Sequence, residues 1–101
     1  MSFATATGEV LREIRSDRGL SLRQVTVRSG GRFKPSSVAS YERGERQISL
    51  ERLFALLDVY GVAPDRAVAA IARRLDQGGS RTAAEFTEAR VLDPASLRRR
   101  A

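Results

Sequence analysis

Glycine punctuation is the tightest constraint on this chain. Gly19, the Gly30-Gly31 pair, Gly44 and Gly61 cut its first part into stretches of only a few helical turns each, and a glycine just past an amphipathic run is where a helix stops. Within the stretches, apolar residues recur at helical spacing. Val10, Leu11 and Ile14, backed by Ala6 or Thr7, predict helix one from Thr5 to Arg18. Ser21 with Gln24 three residues on is a capping box that opens helix two, Leu22 to about Ser29. Pro35 suits a first helical position, where its missing N–H has no partner to lose, so helix three runs from Pro35 to Arg43. Ser49 caps helix four, whose Leu50, Leu53, Leu57 and Tyr60 form a stripe widened by Phe54 and Leu56. Val62-Ala63-Pro64 opens helix five, in which Val68, Ile71 and Leu75 recur among alanines that let another helix approach closely.

The fold class expected is therefore all-α, with five helices. At 101 residues the chain has room for one small domain, and burial at that size favours a compact helical core over a large sheet. Gln77-Gly78-Gly79-Ser80 reads as a hinge. It divides a domain over 1–76 from a C-terminal extension over 77–101, where Thr82 to Arg90 is weakly amphipathic through Ala83, Phe86 and Arg90 and Asp93-Pro94 forms another helix-start pair. Arg73-Arg74-Leu75-Asp76, just before the hinge, reads as an ordinary solvated turn.

Most catalytic chemistry lacks its parts. The sequence holds no Cys and no His, so it offers no thiol nucleophile, imidazole base or usual zinc site. Its twelve carboxylates form no obvious pair in a pocket-forming motif, and no glycine-rich phosphate loop follows a strand. No enzyme activity, metal or cofactor is expected. The N-terminus has no basic leader, and the longest apolar run, Ala67 to Ala72, is far too short to span a membrane. The expected location is the cytoplasm, at the nucleoid.

Charge points to a partner. Eighteen Lys and Arg against twelve acids give a net charge of +6, which makes nucleic acid the first candidate. The excess is local: Arg18 to Arg46 holds seven bases and only two acids, whereas Gln47 to Leu97 holds six bases and seven acids. The Arg-over-Lys preference fits genome composition, which does not account for the clustering.

Two short helices joined by a tight basic link and braced by longer ones have the organisation of a helix-turn-helix unit. In the second of them, Val38 and Tyr41 can face the core. Ser36, Ser37, Ser40 and Arg43 then point outward, with Lys34 at the head. Short hydroxyl side chains let a helix sink into the major groove and bond base edges. Lys34 is a poor cap that opposes the helix dipole by about 0.3–1 kcal/mol, a cost offset if a phosphate or base acceptor lies there. Tyr41 and Phe33 read as core or turn packing rather than base-stacking residues, and Glu42 as structural, bonding backbone or a neighbouring Arg. RNA is disfavoured, since nothing suggests a sheet of exposed aromatics.

Ser21-Leu22-Arg23-Gln24-Val25 through Gly30, Ser36-Ser37-Val38-Ala39-Ser40-Tyr41-Glu42-Arg43-Gly44-Glu45, Ser49-Leu50-Glu51-Arg52-Leu53 and Tyr60-Gly61-Val62 together resemble the Cro/C1-type (XRE family) helix-turn-helix domain over roughly residues 8–75. Gly31-Arg32-Phe33-Lys34 with Ser40 to Arg46 resembles more specifically the DNA-binding half of an actinobacterial developmental regulator, with a turn two residues longer than the family norm. Leu22 stands where many members carry a phosphate-touching Gln. The resemblance implies a five-helix, lambda-repressor-like domain that binds double-stranded DNA as a homodimer on an inverted repeat, most often as a repressor. On this reading Lys34, Ser36, Ser37 and Ser40 read bases, Arg23, Arg28, Arg32, Arg43 and Arg46 contact phosphate, and Val68, Ile71 and Leu75 serve dimerisation. The competing reading is an antitoxin-like module whose residues 77–101 bind a partner protein.

Overall fold

The ends of the helices are set by local chemistry. A computed structural model describes residues 1–77, which contain α1 (Phe3–Asp17), α2 (Leu22–Arg28), α3 (Pro35–Glu42), α4 (Leu50–Tyr60) and α5 (Pro64–Gln77). The described part is all-α. The extension expected to be helical lies outside the described residues, apart from Gln77, which ends α5. Helix α1 begins two residues before the expected Thr5 because the Ser2 side chain accepts a hydrogen bond from the Thr5 N–H. The Ser21–Gln24 capping box closes in both directions at the head of α2. Pro35 occupies the first turn of α3, and Ser49 accepts from the Arg52 N–H to start α4.

Buried side chains form one main cluster and one satellite. Leu11 of α1, Val25 of α2, Val38 and Tyr41 of α3, and Leu56 and Leu57 of α4 belong to the main cluster, with Phe33 at its heart at 0% exposure. Each such large side chain contributes about 1.5–3 kcal/mol through removal from water. Ala6 and Val10 of α1 with Ile71 and Leu75 of α5 make the satellite.

Two expected core positions differ. Leu50 is 65% exposed and Phe54 44% exposed. The buried stripe of α4 runs instead through Leu53, Leu56, Leu57 and Tyr60; Phe54 lies about 100° from Leu53 around the helix, and Leu50 is its first residue, past the end of the core. On α5, Ile71 and Leu75 are buried against α1 within the same chain, whereas Val68 is 46% exposed. The run Arg73 to Asp76 is helix rather than turn. Arg74 there donates to Glu9 at 2.7 Å and to Glu13 at 2.5 Å, joining α5 to α1.

Helix α1 also grips α3. A Cβ on Gly8 would overlap the backbone carbonyl oxygens of Tyr41 and Glu42, so only glycine lets the two helices touch there. Arg15, two turns further along α1, reaches the same end of α3. Its Nε and Nη2 donate to the Glu42 carboxylate at 2.6 and 2.9 Å, and its Nη1 donates to the Leu20 carbonyl at 2.8 Å.

Candidate nucleic-acid interface

The link between α2 and α3 is held by side chains as well as backbone. Gly30 and Gly31 both adopt positive φ, +66° and +85°, a sequence of conformations that residues with a Cβ rarely follow. The Gly31 N–H closes back on the Thr26 carbonyl at 2.9 Å. The Thr26 hydroxyl donates to the Phe33 carbonyl at 2.6 Å, while Ser29 Oγ donates to the Thr26 carbonyl and accepts from the Phe33 N–H. These bonds deliver Phe33 into the core and fix where Lys34 starts the next helix.

Helix α3 is seated from behind. Val38 and Tyr41 are buried, three residues apart on one face. The Arg52 guanidinium, from α4, lies 4.6 Å from the centre of the Phe33 ring and donates from Nε to the Tyr41 hydroxyl at 3.1 Å. Arg46 covers the Tyr41 ring at 5.4 Å, and Arg32 approaches the Phe33 ring at 5.9 Å, within the reach of cation–π attraction. Glu42 is tied to Arg15, so this acid is turned into the protein, with a side chain only 5% exposed. The bond to Glu42 holds the Arg15 pKa above its usual value, against the opposing effect of burial.

At 100° per residue, the direction opposite Val38 and Tyr41 is occupied by Ser36, Ala39, Ser40 and Arg43. Ser36 and Arg43 are exposed, Ala39 and Ser40 half-buried. Ser37 falls on the flank between this face and the core and is half-buried. Lys34 is the exposed N-cap, in extended backbone, and its side chain makes no capping bond. Arg23 and Arg28 are exposed on α2, Arg32 on the link and Arg46 beyond α3. Among the described residues, none of these four arginines, nor Lys34, has a carboxylate partner. Arg43 does: its Nη2 donates to Glu45 at 2.8 Å, with both side chains more than half exposed. That bond raises the Arg43 pKa and lowers that of Glu45.

The structure thus brings Lys34, Ser36, Ser40 and Arg43 onto the outer part of one short helix, flanked by cations that have no carboxylate partner among the described residues. Four further residues essential to this arrangement do not stand out as such in the sequence. Ala39 is detectable from the helical wheel; Thr26, Ser29 and Arg52 act through contacts that no periodicity reports.

A family model described as a helix-turn-helix domain matches residues 6–71. Comparison with curated proteins returns no match. Among solved structures, the crystal structure of the DNA-binding domain of BldD is 45% identical, with a TM-score of 0.62, covering 66% of this chain and 97% of that one. The BldD DNA-binding domain of S. venezulae is 43% identical over the same shares, also with a TM-score of 0.62. BldD is the developmental regulator that the residues around Gly31 to Arg46 resemble. The clp gene regulator ClgR from Corynebacterium glutamicum is 28% identical, with a TM-score of 0.70, over 92% of this chain and 93% of that one. With five helices in the described part, α2 and α3 joined by a clamped turn, and a family match over most of that part, the chain belongs to the helix-turn-helix domain family.

Proposed function

We propose that this chain is a sequence-specific double-stranded DNA-binding transcriptional regulator of the XRE type, which inserts α3 into the major groove. The observation that carries the reading is the outer face of α3: Ser36, Ala39 and Ser40 are short, Arg43 follows them, and cations without a carboxylate partner among the described residues flank the helix. The likeness to the BldD DNA-binding domain supports it.

In this arrangement Ser36 and Ser40 bond base edges, the Ala39 methyl meets a thymine methyl or closes the groove sterically, and Ser37 lies along the flank. Lys34 reaches a phosphate or base acceptor at the head of α3. Arg23, Arg28, Arg32, Arg43 and Arg46 contact phosphate and set register rather than sequence. The finer reading is a repressor that acts as a homodimer on an inverted repeat at the nucleoid, with α3 helices about 34 Å apart. The dimer contact is proposed at Val68, Ile71 and Leu75; Ile71 and Leu75 also pack inside one chain, which leaves Val68, 46% exposed, as the most accessible of the three. No enzymatic step is assigned to the domain.

The test is selection from a randomised duplex pool at two salt concentrations. Enrichment of an inverted repeat is expected. Lys34→Ala and Ser40→Ala should change the enriched sequence, whereas Arg43→Ala should weaken binding to all sequences and flatten the salt dependence by about 0.9 for each phosphate it no longer neutralises. Salt-sensitive binding without an enriched sequence, or unchanged binding by all three variants, defeats the assignment of this face.

A further inference from the structure

One apolar groove on the described domain stands open between the start of α1, the segment before α4, and helices α4 and α5. It measures about 630 Å³, inside the range of roughly 300–1,000 Å³ typical of sites that take small molecules. Leu53, Ile71 and Leu75, each at most 6% exposed, form its floor; Phe3, Leu50 and Val68, which are 55, 65 and 46% exposed, stand at its rim. Large apolar side chains gathered on one surface of so small a domain mark a place where something docks.

The chemistry of the lining indicates the occupant. Apart from Phe3, the large apolar side chains are aliphatic, so the groove suits an alkyl tail better than a flat ring that needs aromatic faces to stack on. Arg46 is the only charged residue that lines it. Its guanidinium lies 5.4 Å from the centre of the Tyr41 ring, which restrains the side chain, and among the described residues it has no carboxylate partner. The Thr7 hydroxyl and the Gln47 amide also border the groove, and neither makes a side-chain hydrogen bond among the described residues. One restrained cation beside an apolar trough complements a ligand with an apolar tail and a single negative charge. A planar carboxylate matches the guanidinium fork, whereas a dianionic phosphate would bring a second charge that nothing in the lining balances.

We infer that this groove binds a medium-chain aliphatic carboxylate, with the tail along Leu53, Ile71 and Leu75 and the head group on Arg46. The inference goes beyond the DNA-binding reading and does not depend on it. Because the tail lies on the floor, Val68 at the rim stays available to the dimer contact proposed above.

The test is an amide-detected NMR titration of the full chain with decanoate, kept below its micelle concentration, and with decanol as the uncharged counterpart. The chain of decanoate is close in length to the wall from Val68 to Leu75, about 10 Å at 1.5 Å per helical residue. The amides of Phe3, Leu50 and Val68 should shift saturably, with a Kd on the order of 10–100 μM for a ligand of this size. Leu50→Asp puts an acid in the first turn of α4, where the helix dipole favours it, so the far-UV circular dichroism should be retained. Decanoate binding by that variant should weaken at least about tenfold, through lost apolar contact and like-charge repulsion. Arg46→Met should weaken decanoate binding about tenfold and decanol binding less than about twofold, because only the acid engages the guanidinium. No shift at the groove amides, or shifts confined to the cations around α3, overturns the inference, the latter marking an adventitious anion only. Decanoate binding that survives Leu50→Asp overturns it too, as does an Arg46→Met variant that treats acid and alcohol alike.

Discussion

Removing the Glu42 carboxylate should destabilise the domain far more than a surface substitution would. In the native state the Glu42 side chain is 5% exposed and that of Arg15 16% exposed, and two charge-assisted hydrogen bonds join them. Glu42→Ala leaves Arg15 with its bond to the Leu20 carbonyl and a charge without its counterion. Stranding one member of a buried pair costs about 3–5 kcal/mol; because the Arg15 head retains some access to water, about 2–3 kcal/mol is expected here. Arg15→Met strands the more deeply buried partner and should cost about 3–5 kcal/mol. The double variant Arg15→Met/Glu42→Ala strands neither, so its loss should fall at least about 1.5 kcal/mol short of the sum of the single losses. A 77-residue fold carries only about 4–12 kcal/mol in total, so Glu42→Ala should lower Tm by about 10–20 °C. Urea denaturation followed by circular dichroism measures all four corners of the cycle. A Glu42→Ala loss under about 0.5 kcal/mol, or an additive cycle, would refute the view that this pair fixes α3 against α1.

Gly8→Ala should cost more than about 2 kcal/mol although alanine is the better helix former, because its Cβ meets the carbonyls of Tyr41 and Glu42; a neutral or higher Tm would mean that the two helices can separate cheaply. Among the described residues the buried Tyr60 hydroxyl has no hydrogen-bond partner, so Tyr60→Phe should be neutral or stabilising by up to about 1–2 kcal/mol in a thermal melt. Burial, with the Glu42 charge nearby, also raises the Tyr60 pKa. The unfolded chain therefore loses that proton above about pH 10 while the folded chain keeps it, and this group's contribution falls by up to about 1.4 kcal/mol per pH unit there; Tyr60→Phe should lose less stability than the parent between pH 10 and 11. Glu45→Gln frees Arg43 from its carboxylate partner and should tighten DNA binding across sequences in a fluorescence-anisotropy titration. Weaker binding by that variant would mean that Glu45 holds Arg43 in its binding geometry.

The helix boundaries were legible because they rest on contacts a few residues apart: the Ser21–Gln24 box, Pro35 at the start of α3 and Ser49 at the start of α4 all act as their spacing suggests. The inward faces of Val38 and Tyr41 followed from period alone, as did the core placement of Phe33 from its position in the link. Periodicity cannot say where a core stops, which is why Leu50 and Phe54, expected in the apolar stripe of α4, are 65 and 44% exposed. Contacts between distant segments were illegible for a different reason. Glu42 was recognisable as structural, yet nothing local identifies Arg15, 27 residues earlier, as its partner. The same holds for Gly8 beneath α3 and for Arg52 between Phe33 and Tyr41.

These long-range contacts share one physical effect on the candidate reader. An eight-residue helix such as α3 is too short to hold its shape in water on its own. Its own sequence contributes three serines and an N-cap lysine that makes no side-chain cap, none of which stabilises a helix strongly. The order comes from behind: α1 through Gly8 and Arg15, the clamped turn through Thr26 and Ser29, and α4 through Arg52. Because the bracing groups lie on the core side, the outer face is free to carry residues chosen for what they meet rather than for helix propensity. A face of short side chains on a braced backbone has few rotamers to order on binding, which reduces the entropic cost of docking into a groove. It also adapts poorly, so a changed base should be answered by weaker affinity rather than by side-chain rearrangement.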